Sequence, residues 1–531
     1  MGIDVGGTHT DAVLLDRAMN VVAEVKTATT PDVTTGIVTA LTTLLERSGL
    51  DRAQVSAVMI GTTHFTNALV TRRRLARTGV VRLGLPATAA LPPASSWPAE
   101  LLDAVRPVVR LCHGGHEFDG RPISALVPDE LRRAAADLAA HDITTVAISS
   151  VFSPVTAEDE LRAAEILLAE LPHLRVSMSH QIGRIRLLER ENATIVNACL
   201  LDLADEIVAA FADALNTVGV RAPLFLSQND GTLMDVGYTR RYPVRTFASG
   251  PTNSMRGAAF LAGLTDAAVV DIGGTTTDVG VLTGGYPRQA GADVDIVGVR
   301  TNFRMPDVVS IGLGGGSRVT HESAGPAGPA VRVGPDSVGY RLTDQALVFG
   351  GDTLTATDLA VAAGLADLGD PSLVRHLDRD LVRQGAAWMA EQVADLVDQM
   401  RLTAAPLPVI IVGGGSILMP AELAGVPEVR IPAHHGVANA IGAAIGQVGG
   451  EVDRVFRTDA RLTRDDVLDR ARAEAAELAV SAGAVPSSVE IVQVDEIHVN
   501  YLPGAVRVIV RAVGDLDLAR TQEEAPTWAT T

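Results

Sequence analysis

A single lysine, Lys26, occurs among the 531 residues, together with only two cysteines, Cys112 and Cys199. One lysine in the polar run Glu24-Val25-Lys26-Thr27 leaves no Walker-A lysine after a glycine-rich turn and no kinase-type strand lysine. It gives no foothold to a Schiff-base cofactor either, and Lys26 is expected to be a solvated surface side chain. Any phosphate chemistry must then rest on backbone amides, arginine and metal. Two cysteines cannot build a disulfide framework or a cysteine-rich zinc site, and they read as buried thiols. Aromatic residues make up 3% of the chain and the formal net charge is −19. That balance argues against a base-stacking, phosphate-tracking surface, so no nucleic-acid partner is expected. No stretch of about 18 strongly apolar residues occurs. The most apolar late segment, 436–450, is broken by Asn439 and Gln447, so no membrane span is expected. Gly2-Ile3-Asp4 opens without the basic and apolar regions of a secretory signal, and a cytoplasmic location is expected.

The placement of glycine carries the strongest pattern. Asp4-Val5-Gly6-Gly7-Thr8-His9-Thr10-Asp11, flanked by apolar residues, reads as strand, glycine turn, strand. Asp271-Ile272-Gly273-Gly274-Thr275-Thr276-Thr277-Asp278 repeats its Asp, Gly-Gly-Thr, Thr and Asp at identical offsets. Such recurrence points to two homologous halves with a ligand cleft between them. Alternating helix and strand patterns between the turns indicate a layered α/β protein. Helical spacing runs over 37–47, 129–140, 156–171 with Thr156 as N-cap and Asp159 completing an acidic capping box, 189–215 as one long stretch joining the halves, and 384–400. Short apolar strands are expected at 55–61, 146–149 and 409–412, the last feeding Gly413-Gly414-Gly415-Ser416. From Val452 the pattern changes to a charged helix, 464–482, followed by strands at 489–494 and 506–513. The expected division is therefore 1–188, 189–450 and a small C-terminal α+β tail, 451–531, with its last dozen residues disordered.

A Gly-Gly-Thr hairpin lets the backbone approach a ligand closely, because glycine has no Cβ, and its amides and hydroxyls can bond phosphate oxygens. Asp4 and Asp271 each precede such a turn at a strand end. Two carboxylates facing one polyphosphate would repel it, so their expected role is to hold a hydrated Mg²⁺.

With two such turns, a late strand ending in a triple glycine and a helical connection between the halves, the chain resembles the superfamily of actin, sugar kinases and heat-shock chaperone ATPases. Within it, the two Asp-to-Asp blocks resemble the hydantoinase A/oxoprolinase family. So do Gly61-Thr62-Thr63-His64-Phe65-Thr66-Asn67-Ala68-Leu69, Phe247-Ala248-Ser249-Gly250-Pro251, Ser310-Ile311-Gly312-Leu313-Gly314-Gly315-Gly316-Ser317 and Val437-Ala438-Asn439-Ala440-Ile441-Gly442. The resemblance runs from residue 1 to about residue 450. It implies duplicated actin-like (ribonuclease H-like) ATPase halves around a nucleotide cleft, with ATP and Mg²⁺ as cofactors. The activity it implies is that of the nucleotide-binding subunit of an ATP-dependent hydrolase of cyclic amides, of hydantoin, 5-oxoproline or lactam type. Such a subunit works with a second, hydantoinase B-like subunit in a hetero-oligomer, and nothing in this chain resembles that partner. The corresponding subunit of an ATP-dependent ketone carboxylase, a small-molecule kinase of the same superfamily and a non-catalytic ATP-binding module are the alternatives. O-phosphorylation would turn an unreactive amide oxygen into a leaving group, and phosphoryl transfer needs alignment and charge neutralisation that amides and Mg²⁺ supply. The chain is shorter at its C-terminus than full A subunits of that family.

Carried over by position, Gly6, Gly7, Thr8 and Thr10 form the first phosphate turn, Gly273, Gly274, Thr275 and Thr276 the second, and Gly413, Gly414, Gly415 and Ser416 contact the adenosine side. Asp4 and Asp271 are the metal-associated pair. Asp11 and Asp278, seven residues further on, are either catalytic or structural hydrogen-bonding groups. Gln228-Asn229-Asp230-Gly231 is either a type I′ turn or a strand end that brings Asn229 and Asp230 into the cleft, to orient the acceptor or act as base. Thr62, Thr63, His64 and Asn67 divide between helix capping and substrate contact. Gly312 to Ser317 is either an anion loop or a packing turn. Cys112-His113-Gly114-Gly115-His116-Glu117 lacks metal-ligand spacing and reads as a polar loop, and His434-His435 is either a surface pair at a helix entry or a pair approaching the cleft.

Overall fold

Apolar alternation on either side of each glycine pair folds into a hairpin. In the computed structural model, which describes residues 1–7, 9–28, 33–291, 294–325, 328–458, 462–499 and 504–519, Gly2–Val5 pairs antiparallel with His9–Leu15 and Ala267–Ile272 with Thr277–Thr283. The same backbone bond closes both turns, Gly6 N to His9 O at 3.0 Å and Gly273 N to Thr276 O at 2.8 Å. Thr8 and the last dozen residues, expected to be disordered, lie outside the described residues.

Each hairpin seeds the same sheet. In the first half the order is Val21–Ala28, His9–Leu15, Gly2–Val5, Val58–Thr62, Leu224–Ser227, with the first three strands antiparallel and the last two joined in parallel. The second half repeats order and polarity with Val308–Ile311, Thr277–Thr283, Ala267–Ile272, Val409–Val412 and Val429–Arg430. This is the ribonuclease H-like arrangement, present twice, of an actin-like ATPase fold. A separate four-stranded parallel sheet, Val108–His113, Thr78–Leu85, Thr145–Ser150 and Arg175–Met178, is inserted into the first half with its own core of Val81, Leu83, Ile148 and Leu167.

The helices Ser249–Ala262 and Ala438–Ala444 cross between the two sheets. A Cβ on Gly257 would run into the Ala438 carbonyl and one on Gly442 into the Asn253 backbone, so glycine is what allows the close approach. That crossing carries Asn253, Ser254 and Asn439 to the floor between the halves. The outer face of the second sheet is covered by Arg379–Met400, whose Val382, Met389, Val393 and Val397 join Val270, Ile272 and Ile411 in one core. Among the described residues no helix is long and apolar enough to cross a membrane.

Three expectations are corrected here. The stretch expected as one helix is two, Leu187–Cys199 and Leu201–Val218, because the Cys199 carbonyl is taken by the returning Ala76 N–H at 2.8 Å. Thr156 is not an N-cap: the helix starts at Glu158 after Ala157, and Asp159 instead accepts from the Gly115 amide at 2.6 Å. Strand pairing also cuts across the divisions at 188 and 450. Leu224–Ser227 and Thr232–Asp235 belong to the first half's sheet, and the supposed tail continues it, through Gln447–Arg457, Ala505–Gly514 and Glu490–His498, into nine strands. Arg464–Ser481 packs on that extension through Val467, Ala471, Ala475 and Ala479.

Candidate active site

The two hairpins and the triple glycine open onto one cavity of about 440 Å³ between the halves, within the roughly 300–1,000 Å³ of ligand pockets. Its walls include Asp4, Gly6, Asp11, Asp271, Gly273, Gly274, Gly413, Gly414 and Gly415, with an apolar end of Leu342, Phe349, Leu368 and Ile417. Register explains the carboxylates: Asp4 lies directly opposite Asp11, and Asp271 opposite Asp278, so each pair points to one face. Glycines make room for them. A Cβ on Gly61, the parallel-strand neighbour of Asp4, would fall against Asp4 Oδ1 and 2.5 Å from Asn253 Nδ2, and one on Gly413 would strike Asp271 Oδ1. No heavy atom lies within 4 Å of where a Cβ on Gly7 or Gly274 would stand, so both turn tips face open space.

The carboxylates are short of positive charge. Burial, with Asp11 and Asp271 nearby, pushes the Asp4 carboxyl up to about 7, against the pull of Asn439 and Lys26. Burial also raises Asp271, against Ser254 and Lys26, and lifts Asp278 to about 6. Asp4 Oδ1 is buried without a hydrogen-bond partner. Among the described residues no group of three or more His, Cys, Asp or Glu side chains stands at metal-holding distance.

Lys26 is exposed, as expected, but it also lines the cavity and is not idle there. Its strand places it opposite Asp11, where Nζ donates to both Asp11 oxygens at 2.8 Å and to the Gly436 carbonyl at 3.1 Å. Asn439 Nδ2 donates to Asp4 Oδ2 and Asp11 Oδ2, both at 3.0 Å. His435 also lines the cavity, with Nδ1 2.9 Å from Ser416 Oγ, so it is not a surface side chain; His434 pairs with Glu24 instead.

Two family models match this chain. The hydantoinase/oxoprolinase N-terminal region matches residues 1–171 and hydantoinase/oxoprolinase matches residues 190–387. The chain belongs to the hydantoinase/oxoprolinase family. Caprolactamase subunit alpha of Pseudomonas jessenii is 30% identical over 403 residues, 69% of this chain and 55% of that relative. The acetone carboxylase beta subunit of Xanthobacter autotrophicus is 28% identical over 254 residues, 46% of this chain and 34% of that one. The chain thus spans about half, or less, of these relatives' lengths. A crystal structure of ATP-dependent caprolactamase from Pseudomonas jessenii superposes with a TM-score of 0.79 at 22% identity, over 97% of this chain and 87% of that one, which establishes the shared fold.

Within this hydantoinase/oxoprolinase cleft the remaining expected residues separate. Thr10 is fully buried and alternates away from His9 and Asp11, so it does not line the cavity. Thr275 stands on its turn beside Gly314, and Thr276 is exposed at the outgoing end. Ser416 is buried behind the triple glycine. The 312–317 loop packs on the second turn, with Gly315 N and Gly316 N donating to the carbonyls of Gly273 and Gly274 at 3.0 and 2.8 Å, and its Gly315 also lines the cavity. Thr62 and Thr63 follow the strand next to Val5, beside the first turn. Thr63 occupies the N-cap position without capping, its hydroxyl donating to Val5 O at 3.4 Å, and Asn67 Nδ2 donates to Thr63 Oγ1 at 3.3 Å. Asn229 and Asp230 lie away from this cavity. Their turn is not type I′, since Gly231 alone of the four residues has positive φ (85°). Asn229 Nδ2 donates to the Arg304 carbonyl at 2.6 Å, and Asp230 pairs with Arg511 at 3.2 Å. Against the upward push of burial, Arg511 and the Thr232 bonds hold the Asp230 carboxyl below its ordinary range. Both thiols are buried, and burial pushes Cys112 up to about 11 and Cys199 to about 12. The run expected as a polar loop starts on a strand: Cys112 and His113 end Val108–His113, with His113 Nδ1 2.9 Å from Glu130, and the chain leaves the strand only at Gly114.

Lys26, Asn439 and Ser254 were missed as site residues, whereas the approach of His435 to the cleft was one of the two readings of its pair. Asn439 sits inside a block that carries the family resemblance, which was the available signal; Lys26 offered only its position on a strand.

Proposed function

We propose that the chain is the nucleotide-binding subunit of an ATP-dependent hydrolase of cyclic amides, acting with a second subunit. The observation that carries this reading is the pair of Asp-x-Gly-Gly turns that face one another across a single cavity backed by the triple glycine. Bound there, the polyphosphate would lie between the amides of Gly6–Gly7 and Gly273–Gly274, and the base toward Leu342, Phe349 and Ile417. The buried, unpartnered Asp4 Oδ1 and the raised carboxyls fit a divalent cation held by Asp4 and Asp271. Mg²⁺ in that position supplies charge neutralisation of the transferring phosphoryl group. Lys26 and Asn439 hold Asp11 and Asp4 in one orientation, and Lys26 is the one ammonium group placed to approach phosphate. Thr63 and Asn67, beside the first turn, would meet the acceptor in this reading. Phosphorylation of the amide oxygen would make the ring carbon electrophilic to water; the ring nitrogen then leaves as the amine, and a second water hydrolyses the acyl phosphate so formed to carboxylate and inorganic phosphate. Similarity to caprolactamase subunit alpha supports a lactam-type ring. Similarity to the acetone carboxylase beta subunit supports a second reading, the same subunit of a ketone carboxylase.

Mg²⁺-dependent phosphate release from ATP tests both, measured with hydantoin, 5-oxoproline or simple lactams, on the chain alone and with proteins that co-purify from its source. Stimulation by a cyclic amide establishes the hydrolase. Stimulation only by a ketone with bicarbonate establishes the carboxylase, and no ATP binding in the presence of Mg²⁺ refutes both.

A further inference from the structure

A second cavity, of about 210 Å³, lies outside the nucleotide cleft, walled by Ile182, Arg184, Asn229, Val244, Arg245, Phe303, Arg304, Glu451 and Asp453 among others. It is half the size of the cleft and below the range of drug-sized sites, so its occupant is small. Charge is what sets it apart in a chain of net charge −19. Three guanidinium groups, of Arg184, Arg245 and Arg304, meet there against two carboxylates. Asp453 is already held in bidentate fashion by Arg507 at 2.7 and 2.6 Å, leaving Arg184 a 3.3 Å contact to the same carboxylate. Glu451 lies 3.1 Å from Arg304 Nε. The Arg245 guanidinium has a 3.5 Å hydrogen bond to the Gln181 carbonyl and the face of Tyr238, 5.9 Å away, and Tyr238 with the charges of Glu451 and Asp230 raises its pKa, so it shares carboxylates that other arginines already hold. Burial and the neighbouring Arg304 lower the Arg184 guanidinium from its ordinary value, the mark of like charges packed together. The Arg304 side chain is only 8% exposed, so this is a built wall rather than a surface fringe.

Concentrating cations in a confined, partly apolar space costs free energy unless an anion completes it. We propose that this cavity binds a small organic carboxylate, with its acid group among Arg184, Arg245 and Arg304 and its apolar body against Val244 and Phe303. The cavity stands on its own geometry. Naming the occupant as the acid of a ring substrate or of its ring-opened product rests on the hydrolase reading. A hydrogen bond links the two sites: the Asn229 carbonyl accepts from Thr252 Oγ1 at 3.0 Å, and the next residue, Asn253, stands with Asp4 over Gly61.

Titration calorimetry of the full chain with 5-oxoproline, L-glutamate and 6-aminohexanoate, against the neutral rings 2-pyrrolidinone and caprolactam and against inorganic phosphate, tests the proposal. Saturable binding of the carboxylates and not of the neutral rings is expected, weakened roughly ten- to a hundredfold in Arg304→Gln. Because that change leaves Glu451 unpaired, the double variant Arg304→Gln/Glu451→Gln is titrated beside it, with ATP binding as the check that both remain folded. Equal binding of neutral rings, absence of saturable carboxylate binding, or unaltered affinity in both variants overturns the proposal. Carboxylate binding without any stimulation of ATP turnover by rings keeps the site and counts against the hydrolase reading. Stimulation by neutral lactams with no carboxylate binding does the reverse.

Discussion

Replacing Lys26 with glutamine tests the cleft most directly, because this ammonium group joins the two aspartates of the first hairpin to the second half of the molecule. Its Nζ makes two 2.8 Å contacts with Asp11, whose side chain is 4% exposed, and one of 3.1 Å with Gly436 O. Loss of the charge leaves Asp11 beside Asp4 and Asp271 with Asn439 as its remaining partner. An unsatisfied buried polar group costs about 1–3 kcal/mol, and the lower end applies here because solvent reaches the lysine. The effect on turnover is expected to be larger, roughly 10²–10³ in kcat, the cost of removing one preorganised charge from a reacting phosphoryl group. Lysine-selective acylation followed by peptide mass spectrometry provides an independent readout, since Lys26 is the only lysine in the chain. Mg²⁺ and a non-hydrolysable ATP analogue should slow modification of Lys26. The double variant Lys26→Gln/Asp11→Asn restores charge balance and should regain stability without regaining turnover. Wild-type turnover in Lys26→Gln, together with a modification rate indifferent to nucleotide, would refute the reasoning.

Gly61→Ala should cost about 1–3 kcal/mol of stability and weaken ATP binding, because its Cβ displaces Asp4 and Asn253; unchanged affinity in calorimetry would show that the carboxylate's position is immaterial. His64 has its pKa lowered by burial from 6.5 to about 4 beside Thr62 and Phe211. The unfolded chain therefore binds a proton that the folded one refuses, and stability present above pH 6.5 should fall as pH drops toward 4, with a shallower fall of Tm in His64→Gln. Asp230→Asn breaks a buried pair with Arg511 and should lower stability by about 3 kcal/mol, while kcat per folded molecule stays unchanged; a selective loss of transfer would reinstate it as a base. Asp278→Asn should depress amide-stimulated turnover more than it weakens ATP binding, and equal losses in both would leave Asp278 a structural group.

What was legible in the sequence was what the backbone needs locally. A Gly-Gly turn flanked by apolar alternation has few ways to fold, so both hairpins and the strand leading to Gly413 stand where expected. Parity across the turn was not legible, and it is parity that sends Thr10 inward while Asp11 faces the cleft. Neither were the long-range pairings. Lys26 meets Asp11 only because the Val21–Ala28 strand returns in register, and Asn439 reaches Asp4 only because Gly257 and Gly442 let two helices cross closely. The strands after residue 447 look like a separate unit because their pairing with Thr232–Asp235 leaves no local signal. Asp230 misled for the opposite reason: Asp-Gly after a strand suggests a reactive carboxylate, and the arginine that neutralises it lies about 280 residues away.

Duplication fixed the backbone of the two hairpins and left their third strands free to differ. Where the first half puts Lys26 opposite Asp11, the second puts Ser310 opposite Asp278, in the same place of the same strand order. Burial lifts the Asp278 carboxyl to about 6, against the pull of the Ser310 hydroxyl that donates to it. The two aspartates that the sequence makes equivalent thus differ in surroundings: Asp11 lines the cavity, clamped by Lys26 and Asn439, whereas Asp278 takes its hydrogen bond from Ser310 and is not among the cavity's walls.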